Sequence, residues 1–151
     1  MQVRARFVLE RFLMRLAATP YAGEVALKGG MLLMSLGASQ AKPTDDLDLH
    51  YEDTMTEAAA AAFVRAVAEI EPTEEDGLVF DTSGMRVDAV REVLVPGFRL
   101  RFRAMLATQP RPTEIPVKID LAFAPGMKVR LMDFPPAIRG FSTVVLESNQ
   151  T

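Results

Sequence analysis

Leu9, Phe12, Leu13 and Leu16 recur at i, i+3, i+4 and i+7, the spacing that puts them on one side of a helix and predicts an amphipathic helix over roughly residues 3–17. Arg4, Arg6, Arg11 and Arg15 fall between them and are expected on its wet face. Thr19-Pro20-Tyr21-Ala22-Gly23 ends that pattern with turn residues. Val25-Ala26-Leu27 then reads as a short apolar strand. Gly29-Gly30 turns the chain into Met31-Leu32-Leu33-Met34-Ser35-Leu36, which is apolar nearly all round, as a buried helix is.

Beyond this the period changes. Leu47, Leu49 and Tyr51 alternate with Asp46, Asp48 and His50, the signature of a half-buried strand. Thr54-Met55-Thr56-Glu57 has the spacing of a capping box, and it precedes a helix from about 56 to 70 with Phe63, Val64, Val67 and Ile70 on its apolar side. Glu71 to Gly77 reads as an acidic, solvated linker. Strands are expected near 78–81, 85–93, 98–106 and 115–123, separated by Ser83-Gly84, Pro96-Gly97 and Pro110-Arg111-Pro112. From Pro125 onward the pattern weakens, Phe134-Pro135-Pro136 interrupts it, and Glu147 to Thr151 is expected to fray. Helix, strand, helix, strand, helix and then several strands describe an α+β fold, a mixed sheet flanked by helices, in one domain over residues 1–151.

Composition narrows the chemistry. Apolar residues at 49% and charged residues at 25% suit a globular domain and argue against disorder. The chain has no cysteine and one histidine, His50, so disulfides and the usual Cys/His zinc sites are excluded, and any metal must rest on oxygen ligands. A net charge of −3 disfavours a protein that coats nucleic acid through diffuse positive charge. Arg99, Arg101 and Arg103 alternate along one predicted strand, as either a solvated or an RNA-facing row. The basic N-terminus is followed by a stretch broken by Glu10, Arg11 and Arg15, which is not a signal peptide, and no run of about 18 apolar residues could span a membrane. A cytoplasmic location is expected.

Against this background a few residues stand out. Asp46 and Asp48 project to the same side of their strand while Leu47 and Leu49 enter the core. Asp120, within Val117-Lys118-Ile119-Asp120-Leu121, obeys the same alternation, and a neighbouring strand could bring it to the pair. Ionised carboxylates crowded together repel unless a cation lies between them, and oxygen-only ligands suit Mg²⁺ or Mn²⁺. In two-metal phosphoryl transfer one ion activates the attacking hydroxyl and the other steadies the leaving pyrophosphate, roughly 3.5–4 Å apart. Gly29 and Gly30 lack Cβ atoms, so backbone N–H groups at the start of the following helix can approach a triphosphate, and Lys28 could add a point charge. Alone, Asp-Leu-Asp-Leu is an ordinary strand edge, Gly-Gly an ordinary turn, and His50 a satisfied or solvated histidine. The order of strand, Gly-Gly, apolar helix and carboxylate strand is what points to nucleotide transfer from an NTP.

The segments Phe7 to Leu13, Pro20-Tyr21, Leu27-Lys28-Gly29-Gly30 and Lys42-Pro43-Thr44-Asp45-Asp46-Leu47-Asp48-Leu49 closely resemble the AbiEii/AbiGii-type nucleotidyltransferase toxins. Glu75-Asp76-Gly77-Leu78 with Phe80-Asp81, Pro96-Gly97-Phe98-Arg99 and Lys118 to Phe123 continue the likeness, which covers roughly residues 5–125. The resemblance implies a polymerase-β-like nucleotidyltransferase fold and a toxin of a toxin–antitoxin or abortive-infection system that adds nucleotides to an RNA such as tRNA. It places Asp46, Asp48 and Asp120 as catalytic metal ligands for Mg²⁺ or Mn²⁺, and Lys28, Gly29, Gly30, Lys42 and Thr44 around the NTP. A cognate antitoxin is the implied partner.

Two departures accompany the likeness. The spacing from Gly30 to Asp46 is longer than in the wider superfamily, though it fits this branch, and Ala124-Pro125 stands where Gly-Asp often follows the third-carboxylate strand. The family continues into a helical C-terminal domain with further Lys and Asp residues of the active site, and nothing after Phe141 is expected to supply them. Two alternatives therefore stay open: a truncated or degenerate member that only binds nucleotide or antitoxin, and a minimal nucleotidyltransferase acting on a protein or small molecule.

Overall fold

The computed structural model describes residues 3–28, 46–90, 96–123, 128–133 and 142–147. The first helix, α1 (Val3–Ala17), turns Val8, Leu9, Phe12, Leu13 and Leu16 inward, as the periodicity requires. Phe12 meets the rings of Phe80 and Phe102 with centroids 5.5 and 5.9 Å away. Thr19 ends the helix: its hydroxyl donates to the Leu16 carbonyl and accepts from the Tyr21 N–H, starting a 3-10 turn over Pro20–Gly23.

The second helix, α2 (Glu57–Ala68), buries Ala60, Ala61, Phe63, Val64 and Val67. Its N-cap is Thr56, whose hydroxyl accepts from the Ala59 N–H at 3.1 Å. The expected capping box of Thr54 with Glu57 is thus corrected: Glu57 is already the first helical residue, where its charge favours the positive helix end.

Among the described residues seven strands form one mixed sheet: β1 (Val25–Lys28), β2 (Asp46–Tyr51), β3 (Leu78–Val90), β4 (Gly97–Leu106), β5 (Thr113–Phe123), β6 (Lys128–Asp133) and β7 (Ser142–Glu147). They run in the order β3-β4-β5-β2-β1-β7-β6. The β2–β5 and β1–β7 pairs are parallel, and the others are antiparallel. The α+β class with its mixed sheet is as expected. Burial alternates strictly along β5, where Ile115, Val117, Ile119, Leu121 and Phe123 point into the core. Leu47 and Leu49 of β2 and Leu100, Phe102 and Ala104 of β4 join them, packed with the apolar stripes of α1 and α2. The opposite face of these three strands carries charge.

Several expectations change. The segments expected at 78–81 and from 85 onward are one strand, β3 (Leu78–Val90), whose register shifts between Asp81 and Arg86, and 91–93 lie outside the described residues. The Ser83-Gly84 signal therefore marks a bulge, in which the Asp81 carboxylate accepts from the backbone and hydroxyl of Ser83. Those bonds, together with Arg103, pull the Asp81 pKa down to about 2. The region after Pro125 holds two strands, β6 and β7, and Glu147 belongs to β7 instead of a frayed end. Weak alternation suffices there because pairing with β1 supplies the order.

The arginines of α1 and the loop before β3 also behave differently from the solvated reading. Arg15 is buried, its side chain 4% exposed, and it grips Asp76 through two bonds of 2.8 and 3.1 Å. Arg11 donates to the same carboxylate at 2.7 Å, and Arg15 also lies 4.8 Å over the Phe80 ring. Burial alone would raise the Asp76 pKa, but the bonds from Arg15, Arg11 and the Leu78 N–H outweigh it and hold the carboxyl below its ordinary value. The acidic segment is thus a clamp that ties α1 to the start of β3. Gly77, at φ +73°, makes the turn that follows.

Candidate functional site

The charged face acquires its pattern from register. On β2, Asp46 and Asp48 point the same way because strand side chains alternate. The parallel pairing with β5 sets Asp48 directly opposite Asp120 and Asp46 opposite Lys118. Neighbouring strands lie about 4.8 Å apart and same-face residues along a strand about 6.6 Å, so the three carboxylates expected from sequence share one patch. On the other side of β2, Lys28 of β1 stands in register with Asp48.

The row continues in the opposite direction. Arg99 of β4 is in register with Asp120, and Asp88 of β3 is in register with Arg99. One line across the sheet therefore reads Lys28, Asp48, Asp120, Arg99, Asp88. Arg99 holds Asp120 with both ends of its fork: Nε to Oδ1 at 2.7 Å and Nη2 to Oδ2 at 3.3 Å. The next row is Asp46, Lys118, Arg101 and Arg86, with Lys118 Nζ 3.0 Å from Asp46. Arg101 reaches back to Asp88 at 3.1 Å, and Arg103 bridges Asp81 and Glu114. The arginines at 99, 101 and 103 are therefore paired with carboxylates.

Close strand approach is built in beside this row. Gly97 opens β4 opposite Ala122, two residues beyond Asp120. A Cβ at Gly97 would strike the Leu121 carbonyl oxygen and lie 2.9 Å from the Ala122 Cα. Only glycine lets β4 lie against β5 there, and the Phe123 N–H bonds the Pro96 carbonyl at 2.9 Å.

The expected site divides as follows. Asp46, Asp48 and Asp120 come together, with Lys28 at the end of β1 in line with them. Gly29, Gly30, Lys42, Thr44 and the segment after Gly30 expected to be an apolar helix lie outside the described residues. His50 is half-buried, next to Ala26 and Ala122 in the row beyond Asp48. Sequence reasoning missed Lys118 as the partner of Asp46 and Arg99 as that of Asp120. Their charge alternation was visible, but assigning partners required the strand register.

A divalent cation can be tested against these residues. Among the described residues no three carboxylate or imidazole groups close around one point, and Arg99 and Lys118 engage two of the three carboxylates. The donors are all oxygen, however, and Mg²⁺ is commonly held by one or two carboxylates together with substrate phosphates, without a complete protein cage. The facing pair Asp48 and Asp120, with Asp46 beside it, fits that mode.

The family model described as the nucleotidyl transferase AbiEii toxin, Type IV TA system, matches residues 11–148. The chain belongs to the AbiEii nucleotidyltransferase toxin family. Comparison with curated proteins gives no match. The AbiEii chain is similar in fold to JHP933 from Helicobacter pylori, with 18% identity and a TM-score of 0.54 over 97% of this chain and 53% of that one. It is likewise similar to a candidate nucleotidyltransferase from H. pylori, with 18% identity and a TM-score of 0.53 over 96% of this chain and 53% of that one. It thus spans about half the length of these solved relatives. By its description the family is one of nucleotidyl transferases. Among the described residues no helix is long and apolar enough to cross a membrane.

Proposed function

We propose that this AbiEii chain carries the metal- and triphosphate-binding part of a nucleotidyltransferase that moves NMP from an NTP to an RNA acceptor such as tRNA, under the control of a cognate antitoxin. The supporting observation is the register of Asp48 with Asp120, with Asp46 one pleat away. In this reading Asp46, Asp48 and Asp120 hold Mg²⁺ or Mn²⁺, which, when bound, offsets phosphate charge and lowers the pKa of the acceptor hydroxyl. In this reading Lys28, Gly29 and Gly30 bind the phosphates, and Lys42 and Thr44 contribute to nucleotide binding. Asp48 lies between the other two carboxylates and orients the acceptor toward the α-phosphate. Lys118 keeps Asp46 aimed.

The test is incubation of the 151-residue chain with Mg²⁺, labelled NTPs and total tRNA, beside Asp48→Asn. Label transfer that disappears in the variant supports the reading. Transfer that survives it overturns the assignment of Asp48. Nucleotide binding without transfer favours the second reading, a catalytic half that needs further protein, for which the observation is its span of about half of each solved relative.

A further inference from the structure

Arg99 stands in register with two carboxylates, Asp120 on β5 and Asp88 on β3. It now bonds Asp120, at side-chain exposures of 28% and 27%. Asp88, 57% exposed, is engaged by Arg101 through a single 3.1 Å bond on the surface, and exposed pairs of that kind contribute little. A long side chain in register with residues on both sides can reach either one.

Charge decides what the two positions mean. Asp46, Asp48 and Asp120 carry three negative charges, and Lys118 and Arg99 return two positive ones, so the patch is close to neutral. A divalent cation arriving alone meets little net attraction, and on Asp120 it must displace a two-point guanidinium fork. A cation arriving with a polyanionic triphosphate brings its own compensation, and Arg99 then has Asp88 as an alternative partner.

We infer that Arg99 is a positioning residue that alternates between Asp120 and Asp88, withholding Asp120 from a bare divalent cation and releasing it when nucleotide is present. This rests on the nucleotidyltransferase reading of Asp46, Asp48 and Asp120. It separates from a purely structural role by the sign of its effect. If Arg99 merely oriented Asp120, its loss would weaken metal binding, by roughly 10- to 100-fold for partners of metal ligands. If Arg99 competes with the cation, its loss tightens binding.

Mn²⁺ binding to the full 151-residue chain, read by the loss of the free-ion EPR signal with and without a non-hydrolysable NTP analogue, makes the distinction. Arg99→Gln is expected to bind Mn²⁺ alone severalfold more tightly than wild type, as release of a partly exposed ion pair allows, and the added gain from nucleotide shrinks. Asp88→Asn, which deprives Arg99 of its second partner, is expected to bind Mn²⁺ in the presence of nucleotide several-fold more weakly. Arg99→Lys keeps the charge without the fork and lies between wild type and Arg99→Gln, and circular dichroism verifies folding in each case. Unchanged or weaker binding in Arg99→Gln, or unchanged binding in Asp88→Asn, overturns the proposal. Wild-type protein that binds no Mn²⁺ with nucleotide, or whose binding is indifferent to Asp48→Asn, overturns the catalytic reading itself, and this inference with it.

Discussion

Replacing Asp76 with alanine tests how α1 is fastened to the sheet. Arg11, 16% exposed, can turn to water once the carboxylate is gone. Arg15, 4% exposed, cannot, and among the described residues keeps the Arg11 carbonyl at 3.3 Å, the Leu78 carbonyl at 3.4 Å and the Phe80 face. The loss is therefore that of one stranded buried cation, about 3–5 kcal/mol, a large part of the roughly 5–15 kcal/mol available to a domain of this kind. At about 2–4 °C per kcal/mol for this chain length, the melting temperature falls by roughly 6–20 °C. Urea titration followed by far-UV circular dichroism measures it. The double variant Arg15→Met, Asp76→Leu removes both charges and should recover most of the loss. A deficit below about 1 kcal/mol for Asp76→Ala, or a double variant no better than the single one, would refute the stranded-charge argument. Because the Asp76 carboxyl is held below its ordinary value, its contribution is present above the unfolded pKa of about 3.9 and is lost as pH falls through the lowered folded value. Asp76→Asn should accordingly show a flatter stability profile below pH ~4 than wild type.

Other outcomes follow from the same physics. Gly97→Ala forces a Cβ against the β5 backbone and should cost about 1–3 kcal/mol by chemical denaturation. Thr56→Ala removes the cap of α2, and a loss of about 1 kcal/mol is expected. Phe12→Ala opens the centre of the core between Phe80 and Phe102 and should destabilise by about 3–5 kcal/mol. Arg103→Ala, on an exposed pair of ion contacts, should leave the melting temperature unchanged at physiological salt, and a clear drop would show that surface network to be stronger than its exposure suggests.

Much of the molecule was legible in the chain. The apolar stripe of α1 and the alternations of β2 and β5 are local periodicities, and packing honours them because each buries its one apolar face. The Asp46-Leu47-Asp48-Leu49 pattern likewise required both carboxylates to leave the core together. The bulge in β3 was misread because Ser83-Gly84 has the composition of a turn, whether the chain reverses there or only shifts register. β6 and β7 were missed because neighbours, more than their own alternation, keep them in the sheet.

What no local pattern contains is partnership across strands. The spacing of 72 residues between Asp48 and Asp120 says nothing about their being adjacent; the parallel pairing of β2 with β5 does. Arg15 and Arg99 have the same composition signal as any exposed arginine, yet one is buried on Asp76 and the other grips Asp120. Side-chain direction is dictated within a few residues by backbone period. Which charge meets which depends on the register of segments far apart in the chain, and that is set by burying all their apolar faces at once.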